Sequence, residues 1–403
     1  MTVKREIFLL FFSLIVGIVV GFVEVLFGKG LLLVTEWRNV YFKSLIVFLP
    51  LAGLVIHFLY ARFGGKSKEG MGLIFKVARG EEGKVPFVLI PIVIVSTWLT
   101  HLFGGSAGRE GVAVQIGGAL SNWISKSRVF FGKNVPEMSR LSIVVGMSAG
   151  FAGLFQTPLA ATFFAIEVLI AGKLELRVLF YAGVAAYTSF FVSQGLGLEK
   201  TTLFIENSLN MSPVLVLQLI FLGMIFGLVG SLFTKGLKES KKYFQQLIPN
   251  GYMRIFIGAL FLGSLLFVLH EGRYSGLGTN LILNSFQGET IYTYDFLLKM
   301  LLTIFTLSIG FQGGEVTPLF AIGSSLGVVL APLVGLPIEI VACLGYVAVF
   351  GSATNTLLAP IFIGGEIFGF DLIPYFFIVM MAAYNCNFNT SIYGHQKQLD
   401  EEL

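Results

Sequence analysis

The chain has 403 residues, of which 12% are charged and 55% are hydrophobic. The charged fraction is about half that of an average soluble domain, and the hydrophobic residues form long uncharged runs. A water-soluble globular protein is therefore excluded, and a polytopic α-helical membrane protein is predicted. The formal charge is only +4, from 27 Lys and Arg against 23 Asp and Glu. Basic residues beside membrane segments explain this small excess, so nucleic acid is excluded as a partner.

The first predicted element is a membrane helix near the N-terminus. An apolar run from Ile7 to Phe27 follows Lys4 and Arg5. The run is too long for the core of a signal peptide, and no A-x-A cleavage site follows it. We therefore expect a retained first helix whose N-terminus is cytoplasmic under the positive-inside rule.

The apolar segments that follow, between residues 43 and 384, include several that are too short for a perpendicular span of about 20 residues. Glycine-rich connections separate them, and the chain has 48 glycines. Irregular backbone survives in a membrane only beside a cavity or other protein. These features predict half-helices that meet inside the membrane.

Two polar stretches break this pattern. Lys235–Pro249 lies between two apolar runs and carries four lysines, so it is predicted to be an amphipathic cytoplasmic loop. The stretch after the last apolar run is short. We therefore expect no soluble regulatory domain at the C-terminus.

Short motifs of the first half of the chain recur in the same order in the second half. The pairs are Gly70–Leu73 with Gly276–Thr279, Gly108–Gly111 with Gly313–Glu315, and the pattern Leu159, Phe163, Glu167 with Leu358, Phe362, Glu366. Ordered echoes of this kind indicate a duplication. We predict a first membrane repeat over residues 1–200 and an inverted second repeat over 201–403, with a binding site at their interface near the middle of the membrane.

Glu110 stands in the glycine-rich segment 104–118, at the start of a predicted apolar helix. The free N–H groups and dipole of a helix N-terminus bind anions, and a carboxylate placed there acts as an internal anion. Protonation neutralises the carboxylate and releases it, which is a mechanism for exchanging a proton against an anion. The alternative at this point is a carboxylate that merely caps its own helix beside Arg109.

Glu315 is the corresponding carboxylate of the second half. It follows two glycines and precedes a predicted helix with Pro318 in its first turn. It is a candidate second carboxylate of the site, and a structural cap is the equally weighted alternative. Glu167 and Glu366 occupy matched positions inside apolar helices, so we predict a shared structural role for them.

The remaining polar residues give weaker signals. His57 and His101 have no partner at metal-ligand spacing and are predicted to lie at the membrane interface, without a metal. Tyr393 offers a phenolic donor near the end of the chain, but an interfacial tyrosine is the more common use of this residue type. Cys343 and Cys386 indicate no redox chemistry. With no nucleophile, metal cluster or histidine–carboxylate pair in the sequence, we expect neither an enzyme nor a cofactor.

These motifs make the chain resemble the CLC anion channels and transporters over nearly its whole length, with five motifs in order over more than 300 residues. The elements that carry the resemblance are Gly70–Leu73, the GREG segment with Glu110, the half-helix segment Phe155–Glu167, the segment Gly314–Pro318, and Tyr393. The resemblance implies a homodimer in which each subunit has its own anion path between inverted repeats. It also implies that Glu110 is the gating glutamate and that Tyr393 is the central tyrosine that donates its hydroxyl to the anion.

The departures from the chloride-carrying pattern are informative. Met71 stands where those relatives have serine or proline, and a thioether cannot donate a hydrogen bond. Val112 replaces the proline of the gating motif, and Val168 stands where an inner proton glutamate aligns. Together with the Glu315–Thr317 sequence, they resemble the fluoride-exporting branch. The anion-binding residues implied in this way are Met71, Gly72, Gly111, Val112, Val316, Thr317 and Tyr393.

The function implied by the resemblance is a fluoride/proton antiporter that exports fluoride across the plasma membrane of a prokaryotic cell. Fluoride binds hydrogen-bond donors strongly, so a site with fewer fixed hydroxyls releases it more easily. A chloride/proton antiporter or a passive anion channel of the same fold is the alternative. A membrane-embedded structural protein is a third hypothesis, opposed by the cost of keeping inward carboxylates.

Overall fold

A computed structural model describes residues 3–127, 136–198, 202–205 and 209–399 of the chain. Almost all regular structure in these ranges is α-helical. In chain order, the helices are α1 (Val3–Leu45), α2 (Leu49–Leu59), α3 (Met71–Ala78), α4 (Leu89–Leu102), α5 (Glu110–Ser125), α6 (Pro136–Phe155), α7 (Pro158–Glu167), α8 (Leu179–Gly195), α9 (Pro213–Leu247), α10 (Gly251–Val268), α11 (Thr279–Gln287), α12 (Asp295–Ile309), α13 (Val316–Val334), α14 (Ile338–Thr354), α15 (Leu358–Phe368) and α16 (Ile373–Asn385). Two short strands, β1 (Ile170–Ala171) and β2 (Lys397–Gln398), pair in parallel.

The helices fall into a long and a short class. Within the described ranges, six helical segments are long and apolar enough to cross a membrane. Helices α4, α7, α14 and α15 are apolar but have only 10 to 17 residues. The prediction of an all-α polytopic membrane fold with several short helices is confirmed. The predicted repeat boundary, at residues 200 and 201, lies outside the described residues.

Helix α1 extends well beyond the predicted run that ends at Phe27. It has 43 residues and departs from helical geometry only at Tyr41, where φ is −114° and ψ is 26°. Leu9, Phe12, Val16 and Val20 are fully buried and recur every three or four residues. This apolar stripe packs on α4, α6 and α8.

The predicted cytoplasmic loop at Lys235–Pro249 is wrong. Helix α9 continues from Pro213 to Leu247, so only residues 248–250 connect it to α10. The stretch is rich in Lys, Glu and Gln, which are good helix formers, and their polarity suits an exposed helical extension. Asn250 then caps α10, since its side chain accepts hydrogen bonds from the N–H groups of Tyr252 and Met253.

Glycines bring two pairs of helices into close contact. A Cβ built on Gly117 of α5 would lie only 2.1 Å from the carbonyl oxygen of Gly146 in α6. In the second half of the chain, a Cβ on Gly323 of α13 would lie 2.0 Å from the carbonyl oxygen of Gly345 in α14. No larger residue fits at these crossings, which hold the two helices that begin at the candidate site.

The segment after α16 returns to the middle of the molecule. The N–H of Ile392 donates to the carbonyl of Ala353 at 2.9 Å, and β2 pairs with β1 beyond the end of α7. Gln396 Nε2 donates to the carbonyls of Val168 and Thr354, at 2.9 and 3.1 Å. These bonds hold Tyr393 against the helix core.

Candidate anion and proton site

The starts of α5 and α13 are joined by their backbones. The N–H of Gly108 donates to the carbonyl of Gly314, and the N–H of Gly314 donates to the carbonyl of Gly108, with N–O distances of 2.5 and 2.8 Å. A Cβ on Gly108 would lie 2.9 Å from the carbonyl oxygen of Gly314, so only glycine allows this approach. The bridge brings together the two segments that the sequence analysis singled out.

Glu110 reaches across this bridge to the second helix. Its side chain is 1% exposed. Its Oε2 accepts hydrogen bonds from the backbone N–H of Thr317, at 3.1 Å, and from the Thr317 hydroxyl. Arg109 contributes its backbone N–H, at 3.3 Å from Oε2, and its Nε, at 3.5 Å from Oε1. Glu110 therefore does not cap its own helix, as one alternative held, but occupies the N-terminus of α13.

Glu315 faces in the opposite direction. It is the residue before α13, and a Cβ on Gly111 would lie 3.5 Å from Glu315 Oε2. The carboxylate thus lies beside the start of α5, while Glu110 lies at the start of α13. Each of the two helix N-termini therefore has the carboxylate of the other segment next to it.

A cavity of about 570 Å³ leads to Glu315 from one side of the protein. Met71, Gly72, Glu315 and Tyr393, all predicted site residues, line it. Its lining contains more basic residues, namely His57, Lys68, Lys241, Arg254 and His395, than acidic ones, namely Glu69 and Glu315. A positive mouth of this kind raises the local concentration of anions.

The remaining predicted residues lie deeper or contribute backbone. Val112 and Val316 are buried at the starts of α5 and α13. The N–H of Val112 donates to the carbonyl of Arg109 within its own helix, at 3.1 Å. The structure therefore places the predicted residues other than Tyr393 at three neighbouring helix starts, with Thr317 in direct contact with Glu110.

Tyr393 is buried rather than interfacial. It is 5% exposed, and its ring contacts Phe75 and Phe164 with centroid distances of 5.6 and 6.2 Å. Its hydroxyl has no hydrogen-bond partner among the described residues. A buried hydroxyl on a cavity wall is costly without an acceptor, so this donor suits a bound anion.

Val168 provides no group that can carry a proton. It is fully buried, and its carbonyl accepts the hydrogen bond from Gln396. Its apolar side chain directly follows Glu167 at the end of α7.

The interfacial prediction is wrong for His101. This residue is fully buried, and its two ring nitrogens lie 2.8 Å from the carbonyl of Thr97 and 3.0 Å from that of Ala107. It thereby ties the end of α4 to the loop that leads to Glu110. His57 is half-buried on the cavity wall, where its ring meets Tyr252 edge-on.

The echoed motif Gly276–Thr279 has a different environment from Gly70–Leu73. The ammonium group of Lys299, which is fully buried, donates to the carbonyls of Gly276 and Tyr274 at 2.7 and 3.1 Å. It also donates to Ser106 Oγ at 2.9 Å. Lys299 thus fastens the echoed motif to the loop before Glu110.

Sequence reasoning missed His395 as a site residue. A Cβ on Gly72 would lie 2.4 Å from His395 Cδ2, so the imidazole covers this glycine. Its position two residues after Tyr393 is the signal that could have identified it.

Comparisons with known proteins agree with this architecture. A family model described as voltage gated chloride channel matches residues 52–387. A "Chloride/fluoride channel protein" of Pseudomonas syringae pv. tomato is 36% identical over 96% of this chain and 88% of its own length.

Solved structures give the same result. The crystal structure of a CLC-type fluoride/proton antiporter is 51% identical, covers 99% of this chain and 100% of its own, and has a TM-score of 0.96. A slow cyanobacterial Cl⁻/H⁺ antiporter, 21% identical with 96% of both chains covered and a TM-score of 0.80, has the same fold. The chain therefore belongs to the voltage-gated chloride channel family, the CLC family, and is a multi-pass membrane protein.

Proposed function

We propose that this protein is a fluoride/proton antiporter that exports fluoride across the plasma membrane of a prokaryotic cell. The observation that carries the proposal is the position of Glu110. Its carboxylate accepts hydrogen bonds from the N–H and hydroxyl of Thr317 at the start of α13, as a bound anion would. The similarity to a fluoride/proton antiporter over nearly the whole chain supports fluoride as the anion.

Exchange follows from the competition for these donors. While Glu110 is ionised, it fills the N-terminus of α13. A proton on Glu110 removes its charge and weakens its hold on the Thr317 N–H and hydroxyl, so that a fluoride ion takes its place. When Glu110 loses the proton, its carboxylate returns and displaces the anion. The cycle thus moves protons and fluoride in opposite directions.

The other proposed site residues have supporting roles. Tyr393 donates its free hydroxyl to fluoride. Gly72, Gly111 and Val316 contribute backbone at their helix starts, and Val112, whose N–H donates to the Arg109 carbonyl, lies beside the anion. Met71 has no hydrogen-bond donor, and a donor at this position would bind fluoride too tightly for release. Glu315 is the second carboxylate, beside the start of α5, and passes a proton or repels the anion onward.

We also propose that the protein is a homodimer built from two inverted repeats, residues 1–200 and 201–403, each subunit with its own path. The Gly108–Gly314 bridge and the two close glycine crossings, one in each half of the chain, support the repeat assignment. The basic lining of the cavity supports a cytoplasmic opening. Crosslinking of single-cysteine variants in bilayers tests the dimer, and a monomer would contradict it.

The function is tested by ion flux from proteoliposomes loaded with fluoride or chloride and read with ion-selective electrodes. We expect fluoride efflux well above chloride efflux, with proton uptake that stops in Glu110→Gln. Chloride flux equal to or above fluoride flux would favour a chloride/proton antiporter. Fluoride flux without proton movement would favour a passive channel. Glu239→Gln, on the exposed end of α9, serves as the matched control.

A further inference from the structure

A carboxylic acid in the first helix has no part in the site described above. Glu24 is fully buried on the face of α1 that contacts α6 and α8. A Cβ built on Gly153 of α6 would lie 3.3 Å from both Cβ and Cγ of Glu24, and 2.4 Å from Ser189 Oγ of α8. Glu24 and the Ser189 hydroxyl therefore face the same glycine, between three helices.

Four buried polar atoms near Gly153 lack hydrogen-bond partners among the described residues. Neither carboxylate oxygen of Glu24 has one among the described residues, nor does the hydroxyl of Ser189, which is fully buried. One turn along α8, Ser193 Oγ lies 2.6 Å from Nε2 of Gln156, whose buried Oε1 is also without a partner. Buried polar groups are normally hydrogen-bonded, so this cluster is unusual.

Protonation of Glu24 improves this arrangement. An ionised carboxylate and an amide oxygen can only accept hydrogen bonds. A protonated carboxyl has an O–H group that can donate a hydrogen bond to Ser189 Oγ. The neutral form also avoids the large cost of a charge in an apolar interior. Helices α4, α5, α6 and α8 pack on α1, and Arg109, just before α5, has an electrostatic interaction with Glu24.

Arg109 connects Glu24 with the anion site. Its Nε lies 3.5 Å from Oε1 of Glu110, so a single guanidinium acts on both carboxyl groups. The positive charge of Arg109 favours the ionised form of a nearby carboxyl group, so it opposes permanent protonation of Glu24 and keeps the proton exchangeable.

We propose that Glu24 is a proton-carrying residue of the transport cycle, which stores a proton between α1, α6 and α8 and exchanges it with Glu110. In each transfer the O–H bond of the Glu24 carboxyl breaks while an O–H bond forms on the Glu110 carboxylate, with water as the relay because neither Glu24 oxygen has a hydrogen-bond partner among the described residues, and no other reactant is needed. The inference rests on the proposed antiport, and it supplies a proton acceptor in a chain where Val168 cannot be one.

The test compares Glu24→Gln, which is permanently neutral, with Glu36→Gln, which alters an exposed carboxylate of the same helix. In proteoliposomes, we expect Glu24→Gln to lower proton transport by about 100-fold, the effect of losing a positioned proton carrier, while fluoride still passes. Glu36→Gln keeps the coupling of the unmodified protein. Unchanged coupling in Glu24→Gln would overturn the proposal.

Infrared difference spectroscopy of the purified protein tests Glu24 independently of transport. We expect a carbonyl stretching band of a protonated carboxyl that disappears in Glu24→Gln, remains in Glu36→Gln, and shifts in frequency in Ser189→Ala. The Ser189 variant also serves if Glu24→Gln does not fold. A spectrum without such a band would overturn the proposal. If fluoride is not exchanged for protons in the unmodified protein, the proposed function fails, whereas the infrared band still decides the state of Glu24.

Discussion

Glu167 and Glu366 each cap the N-terminus of the helix that carries the other. Glu167, the last residue of α7, accepts hydrogen bonds at 2.5 to 3.1 Å from the start of α15, where the donors are the N–H groups of Leu357, Leu358 and Ala359. Glu366, near the end of α15, accepts hydrogen bonds from two N–H groups at the start of α7. The donors are Leu159, at 3.2 Å, and Ala160, at 2.9 Å. The predicted shared structural role of the two residues is confirmed.

This reciprocal capping predicts a stability effect without a transport effect. Glu167 is 5% exposed, so Glu167→Ala leaves buried N–H groups of α15 without an acceptor. We expect the free energy of unfolding to fall by about 1–3 kcal/mol. Thermal unfolding in detergent measures this loss of stability as a lower unfolding midpoint. Glu239→Gln should unfold like the unmodified protein, and an unchanged midpoint in Glu167→Ala would refute the capping role.

The sequence could propose members of the site but could not predict the contacts between them. Glu110 was identified from a glycine-rich helix start and Thr317 from the family resemblance, yet their hydrogen bond joins residues far apart in the chain and depends on how α5 and α13 are arranged. The Gly108–Gly314 bridge fixes that arrangement. Local patterns carry no information about it.

Where prediction failed, the reasons are physical. The stretch after Lys235 was interpreted by its charge, whereas its helix propensity determines the structure. His101 was interpreted by its residue type, but two backbone carbonyls satisfy its ring and make burial tolerable. Glu24 was overlooked because a single carboxylate barely changes the hydropathy of a long apolar run.

Met71 provides a test of anion selectivity. It lies at the start of α3 on the cavity wall, and its thioether cannot donate a hydrogen bond. We expect Met71→Ser to shift the fluoride-to-chloride flux ratio toward chloride, because the hydroxyl adds a donor of the kind found in chloride carriers. Met71→Leu, of similar size and without a donor, should keep the original ratio. An equal fluoride-to-chloride flux ratio in all three proteins would show that Met71 does not determine selectivity.

A substitution of Tyr393 tests anion binding independently of folding. Since its hydroxyl has no partner among the described residues, Tyr393→Phe removes no hydrogen bond of the fold. We expect an unaltered thermal midpoint but an apparent fluoride affinity at least about tenfold lower, the effect of losing a hydrogen bond to a charged ligand. Flux measured against fluoride concentration gives the affinity, with the exposed Tyr243→Phe as the control. An affinity equal to that of the unmodified protein would contradict the proposed role.

The ion pairs outside the membrane predict how acid affects the C-terminal segment. Glu81 accepts two hydrogen bonds from the Arg79 guanidinium, at 2.6 and 3.0 Å, and lies 3.8 Å from the Lys397 Nζ in β2. Arg79 also donates to the carbonyl of His395, at 2.5 Å. The hydrogen bond from Arg79 lowers the pKa of Glu81 below its ordinary value of 4.5. Glu81 thus helps to hold the segment that carries Tyr393.

Because the pKa of Glu81 is lowered by folding, its stabilising contribution is fully present above pH 4.5 and is lost as the pH falls through the lower folded value. We therefore expect acid below this pH to loosen residues 393–398, measured as faster amide hydrogen exchange in that segment relative to α5. In Glu81→Gln the segment should exchange faster already at neutral pH, and this contribution to the acid response should be missing. An identical pH profile in the two proteins would show that Glu81 does not hold the segment.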